Sequence, residues 1–128
     1  MAHLIVSFGK DSADTVYSVI KSGLFDKIYI VADSLNVEHY VKPHVQDNVK
    51  IVLLKLDYSK ASEDLVPELY LLLKKHFMED KVQDLDMAVN IASGTGKEHS
   101  VIISTLMKLG YGIRLVDLDK DGNILEMI

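Results

Sequence analysis

The sequence predicts an α/β fold: a three-layer sandwich on a mostly parallel sheet of about six strands, closed by an antiparallel C-terminal hairpin. Short apolar, β-rich runs alternate with longer segments of helical period along the whole chain. That order implies right-handed crossovers, hence parallel strands with helices on both faces. The 128 residues, 48% of them hydrophobic, supply one core and leave no room for a second domain of ordinary size. Residues 1–128 therefore read as a single domain.

Leu4-Ile5-Val6-Ser7-Phe8 reads as a buried first strand. Ala13, Val16, Tyr17 and Ile20 then fall at i, i+3, i+4 and i+7, one face of a helix, with Asp11 or Ser12 as N-cap and Gly23 as stop. Residues 27–31 form a second strand ending at Asp33. Between Leu35 and Asp47 the valines 37, 41 and 45 share a helical face. Pro43 would cost about 3 kcal/mol in a helix interior, so a short or broken helix is expected there.

Val49 to Leu56 is a nearly continuous β-branched and leucine run, the pattern of a strand covered on both faces. Leu65, Leu69, Leu72, Leu73 and Phe77 mark a long amphipathic helix, with acidic residues near its start and basic ones near its end, as the helix dipole favours. Residues 87–92 make a fourth strand, and Ser93-Gly94-Thr95-Gly96 turns into a helix from about Lys97 to Leu109, stopped by Gly110. A fifth strand covers 111–116. Asp121-Gly122-Asn123 then turns the chain into a final antiparallel strand.

Composition removes several function classes. The net charge is −5 and Arg114 is the only arginine, the wrong balance for general binding to DNA or RNA. The absence of cysteine excludes disulfides, zinc thiolate sites, iron–sulfur clusters and thiol nucleophiles. No apolar run approaches the roughly 20 residues of a membrane-spanning helix, and the first residues lack the features of a secretory signal. The expected location is the cytoplasm, with no membrane partner.

Two strand-to-helix turns stand apart. The first is Ser7-Phe8-Gly9-Lys10-Asp11-Ser12, and the second is Asn90-Ile91-Ala92-Ser93-Gly94-Thr95-Gly96-Lys97. Each places small or hydroxyl residues, a glycine and a lysine at the amino end of a helix. Free backbone N–H groups and the positive end of the dipole form a ready anion site there. Glycine lets backbone approach a phosphate closely, and Ser or Thr adds a hydroxyl donor. Neither loop has P-loop or Gly-x-Gly-x-x-Gly spacing. The plain alternative is that glycine and serine simply make tight turns and caps.

The second loop, the apolar helix after it and the strand Gly112-Ile113-Arg114-Leu115-Val116 resemble the second signature of CRISPR-associated Rossmann-fold (CARF) domains: an Asn, small and hydroxyl residues, Gly-Thr, then a basic residue. The opening strand with Ser7-Phe8-Gly9 resembles the first. The order of elements fits the same Rossmann-like pattern over essentially the whole chain. One departure is visible: the basic residue often follows Gly-Thr directly, whereas here Gly96 does and Lys97 comes one later.

This resemblance implies a homodimer whose paired loops form a symmetric pocket for a cyclic oligoadenylate second messenger of CRISPR antiviral signalling, most often cyclic tetra-adenylate. Such domains usually control a fused effector. At this length the chain would instead be a stand-alone sensor, a sink, or a ring nuclease. The ligand-binding residues carried over are Ser7, Phe8, Gly9, Lys10, Asp11, Ser12, Asn90, Ala92, Ser93, Gly94, Thr95, Gly96 and Lys97. Ring cleavage in the family is metal-independent attack by a ribose 2′-hydroxyl on the adjacent phosphorus. It needs in-line positioning and charge stabilisation, for which Lys97, Ser93 and Thr95 are the candidates, with Ser7 beside them. No cofactor and no metal is implied. His99 could act as acid or base, but the plainer expectation turns it off the first helical turn into solvent.

Competing readings remain at this level. The first loop also resembles the Ser-Gly-Gly-x-Asp-Ser loop of PP-loop ATP pyrophosphatases, with Phe8 in place of the first glycine; that enzyme would transfer or release an adenylyl group. A phospho-acceptor receiver domain is rejected, because the fifth strand ends in Val116-Asp117 with no lysine. A non-enzymatic interaction domain is the third class. Asp117, Asp119 and Asp121 are expected to solvate a hairpin turn rather than bind calcium, since the position of the distal glutamate is Ile128. His39 and His44 flank Pro43 too awkwardly to share a metal, and Tyr40 could stack on a base, although the plainer expectation is a rim or core residue.

Overall fold

The chain runs β1 (His3–Ser7), α1 (Ala13–Lys21), β2 (Lys27–Ala32), α2 (Val37–Val41), β3 (Lys50–Lys55), α3 (Ser62–Glu79), β4 (Asp86–Asn90), α4 (Gly96–Leu109), β5 (Gly112–Leu118) and β6 (Ile124–Glu126). The structure is a computed structural model that describes residues 3–9, 13–33 and 37–127, apart from the Glu38 side chain. The expected caps Asp11 and Ser12 lie outside the described residues. Pro43 sits in a 3-10 turn, Lys42–His44, directly after the five-residue α2. The helix is short for the reason anticipated: proline is tolerated at the start of such a turn, where its missing N–H has no partner to lose.

The strands pair in the order β3-β2-β1-β4-β5-β6. All neighbours are parallel except β5 and β6. This is the predicted mostly parallel, Rossmann-like sheet with its antiparallel hairpin. Asp119 closes that hairpin, its Oδ1 accepting from the N–H groups of Asp121 and Asn123 at 2.9 Å each.

Alternation within the central strands divides the core in two. Leu4, Val6, Ile28, Ile30 and Ala88 pack with Val16, Val19 and Ile20 of α1 and with Val37 and Val41 of α2. Ile5, Tyr29, Val31, Met87 and Val89 pack with Leu65, Leu69 and Leu73 of α3 and with Val101, Ile102 and Leu106 of α4. Because both faces are covered, β1 and β2 read as continuous apolar runs rather than alternating ones. Each such aliphatic side chain contributes about 1.5–3 kcal/mol on burial.

The third strand departs from expectation. Its apolar run predicts full cover, yet only Leu54 of β3 is buried and both ends are exposed. β3 is the edge of the sheet, with one neighbour and partial cover from each layer. Its terminal lysines, Lys50 and Lys55, oppose edge-to-edge pairing with another sheet.

At the amino ends of the strands lies a polar cluster. Lys27 is ion-paired with Asp80, and Tyr29 Oη donates to Asp80 Oδ2 at 2.8 Å. His3 Nδ1 lies 3.0 Å from Asp84 Oδ2. Burial alone would raise the Asp80 carboxyl, but the hydrogen bonds from Lys27 and Tyr29 and the charge of Lys27 outweigh it and hold it below its ordinary 3.8. Burial and the Asp80 contact push the Tyr29 phenol upward.

Candidate functional site

The strand order creates the site. From β1 the chain crosses to β2 and β3 on one side, and α3 then returns it to β4 on the other side of β1. The carboxyl ends of β1 and β4 are therefore neighbours at the point where the crossovers diverge, where open α/β sheets bind ligands. Val6 is in register with Asn90, so the two loops singled out in the sequence leave the sheet side by side.

They are joined by Ser93. Its Oγ accepts from the Gly9 N–H at 2.7 Å and donates to the Gly9 carbonyl at 3.1 Å. Ser93 is fully buried. Gly9 and Gly94 are packed backbone to backbone: a Cβ on Gly9 would lie 2.9 Å from Gly94 N and 3.0 Å from Gly94 Cα. Gly94 has φ 95°, and a Cβ there would lie 2.5 Å from Ser7 Oγ. Both glycines are required by close approach, and Gly94 by its backbone conformation as well.

Two buried polar atoms lie in the same layer. Ser7 is 1% exposed, and its Oγ has no hydrogen-bond partner among the described residues. Asn90 is fully buried and donates from Nδ2 to the Val116 carbonyl at 2.9 Å, which carries the β4–β5 ladder one step past Val89 and Leu115. Its Oδ1 likewise has no partner among the described residues. Unsatisfied buried polar atoms are few in folded proteins and call for an explanation.

The start of α4 carries a full capping box. Thr95 N donates to Glu98 Oε2 at 2.6 Å, and Glu98 N reaches Thr95 Oγ1 at 3.4 Å. Glu98 therefore holds a carboxylate over the helix terminus. His99 folds back rather than turning to solvent, its Nε2 lying 2.7 Å from the Ser93 carbonyl. A carbonyl only accepts, so Nε2 carries the hydrogen. The expectation of a solvent-facing ring fails because the sharp turn at Gly94 leaves the Ser93 carbonyl facing the first turn of α4.

Lys97 points to the neighbouring crossover. Its Nζ donates to the carbonyls of Tyr58 at 2.8 Å and Lys60 at 2.5 Å, both in the β3–α3 loop. Tyr58 thereby joins the site. Its hydroxyl is buried with no partner among the described residues, and burial, then the charges of Glu98 and Asp33, push the phenol upward. Phe8 is buried, Gly9 is half-buried, and Ala92, Thr95, Gly96 and Lys97 are exposed. Lys10, Asp11 and Ser12 lie outside the described residues.

Of the residues nominated from sequence, Ser7, Phe8, Gly9, Asn90, Ser93 and Gly94 thus meet at one edge of β1 and β4. Lys97, Ser93 and Thr95 are each engaged in a hydrogen bond. Glu98 was missed although Thr95-x-x-Glu98 is itself a capping-box signal. Tyr58 has no such signal; its place depends on the α3 crossover. A larger cavity of about 530 Å³, lined by Tyr70, Lys74, Lys81 and Tyr111 among others, lies at the far ends of α3 and α4, away from these loops.

No protein-family model and no curated protein matches the sequence. Among solved structures, the chain is similar to "Enterococcus italicus Csm6 bound to cyclic hexa-2'-fluoro-hexa-dAMP", with a TM-score of 0.66 and 11% identity over 94% of this chain. The match spans 34% of that protein, about a third of its length. The likeness is one of fold.

Proposed function

We propose that this chain binds a cyclic oligoadenylate at the carboxyl edge of β1 and β4, as a cytoplasmic homodimer in CRISPR antiviral signalling. The observation that carries the reading is the closure of the two loops into one surface by Ser93 and Gly9. The two loops meet beside the N-terminus of α4, where a phosphodiester would take the place of the Glu98 carboxylate on the Thr95 N–H. The unpartnered Ser7 Oγ and Asn90 Oδ1 lie in the layer beneath. The Csm6 of similar fold was solved with a cyclic hexanucleotide analogue, and the loop motifs resemble CARF signatures. A two-fold ring also matches an isologous dimer in which each protomer presents the same loops.

The stitch between the loops weighs against the PP-loop alternative, which uses the first loop alone and leaves the second without a role. Binding is favoured over cleavage. Lys97 is turned onto two carbonyls, Ser93 is committed to Gly9 and Thr95 to the capping box, so none of the three candidates for charge stabilisation is poised for it.

The deciding experiment incubates purified protein with radiolabelled cyclic tetra- and hexa-adenylate and resolves bound, free and linear species. A bound complex without linear product is expected. No binding of either ring at micromolar protein overturns the proposal, and linear product would make the chain a ring nuclease. A strict monomer by solution mass at the same concentration overturns the dimeric pocket.

A further inference from the structure

Beside the first loop lies a cleft lined by rings. Phe8, Ala13, Tyr17 and Tyr40 enclose a cavity of about 270 Å³. Phe8 directly follows β1 and precedes Gly9, which puts one wall of the cleft next to the first loop. Its buried ring lies 6.2 Å from that of Tyr17, with the planes 53° apart. Tyr17 is fixed from outside the cleft by His44, which stacks on it at 4.2 Å and 17°. Tyr40 is 55% exposed, although Val37 and Val41 of the same short helix are buried. An exposed aromatic at the rim, a braced one on the wall and a buried one next to the loop form a stacking site for a planar ring.

Resting on the proposed function, we infer that this cleft is a base subsite, which takes the purine ring of one adenylate while its phosphate lies at Gly9 and the start of α4. Aromatic side chains bind bases through their faces, and removing one such ring weakens binding by roughly tenfold or more. The phenol hydroxyl of Tyr17 offers a hydrogen bond to the edge of the base. Burial, followed by the nearby Asp14 and Tyr40, pushes the Tyr17 phenol upward, so it remains a neutral donor.

The test titrates cyclic tetra- and hexa-adenylate against wild type, Tyr40→Phe and Tyr40→Ala, with circular dichroism melts as the check on folding. Tyr40→Phe keeps the ring and is expected to bind within about threefold of wild type, while Tyr40→Ala loses about tenfold or more. In wild type, the ligand should also shift the ring resonances of Tyr40 in a tyrosine-labelled NMR spectrum, assigned by their loss in Tyr40→Phe. Wild-type affinity in Tyr40→Ala, equal losses in both variants, or unmoved Tyr40 resonances on binding would each overturn the subsite and leave the proposed function standing. Failure of wild type to bind either ring overturns that function and the subsite with it.

Discussion

Ser93 and Gly9, 84 residues apart in sequence, share two hydrogen bonds through one hydroxyl: Gly9 N–H to Ser93 Oγ at 2.7 Å and Ser93 Oγ to Gly9 O at 3.1 Å. A single buried side chain thus satisfies both backbone groups of a glycine in the facing loop. It ties together the two candidate loops that the β1–β4 pairing sets side by side.

Ser93→Ala removes both bonds and leaves the Gly9 N–H without its acceptor. A buried donor left unsatisfied costs about 1–3 kcal/mol. The urea unfolding midpoint should fall accordingly, and affinity for cyclic oligoadenylate should fall beyond what lost stability explains, because the two loops no longer hold register. A midpoint equal to wild type would show that the stitch contributes nothing.

Gly94 and Gly96 belong to the same turn but should respond oppositely to alanine. Gly94→Ala forces a side chain into a left-handed conformation, which costs about 1–2 kcal/mol by itself, and drives its Cβ against Ser7 Oγ. A Cβ on Gly96, which opens α4, would meet nothing within 4 Å. Gly96→Ala should therefore be neutral or stabilising by up to about 1 kcal/mol. Paired thermal melts decide this, and equal shifts would contradict it.

Lys97→Ala should change stability by less than about 1 kcal/mol, since the side chain is exposed and its loss uncovers only carbonyls that water can reach. Under the proposed function it weakens cyclic oligoadenylate binding, and it does so more at low salt than at high salt. Titration at two ionic strengths measures both effects. An affinity unchanged at low salt would confine Lys97 to holding the β3–α3 loop.

Asp80 supplies a pH-dependent part of stability. Its folded carboxyl is held below the ordinary 3.8, so its contribution is complete above that value and is lost as pH falls through the lower folded value. Asp80→Asn, which also leaves Lys27 without its partner, should be less stable than wild type at neutral pH. The gap between their urea midpoints should narrow below about pH 4. A gap that stays constant into strong acid would assign the loss to packing instead.

Much of this protein was legible in its order of residues. The periodicities of 2 and 3.6 are local properties, so Leu4–Val6, Val16–Ile20, Leu65–Phe77 and Val101–Leu106 announce their elements without reference to partners. The position of Pro43, the stop at Gly110 and the hairpin turn near Gly122 are equally local. The two glycine-bearing loops were visible for the same reason. The α/β sandwich and its candidate loops thus followed from the sequence by itself.

What only the tertiary structure decided is non-local. The partial exposure of β3 follows from its place at the sheet edge, which its apolar run cannot report. The placement of β1 beside β4 brought the Ser93 hydroxyl, one of the residues nominated for catalysis, onto Gly9. The α3 crossover brought Tyr58 and Lys60 under Lys97, and the turn at Gly94 set the Ser93 carbonyl against His99. A residue type names the bonds a side chain can make. The chain's crossings decide which partners lie within reach, and those are separated by tens of residues with no periodic signal between them.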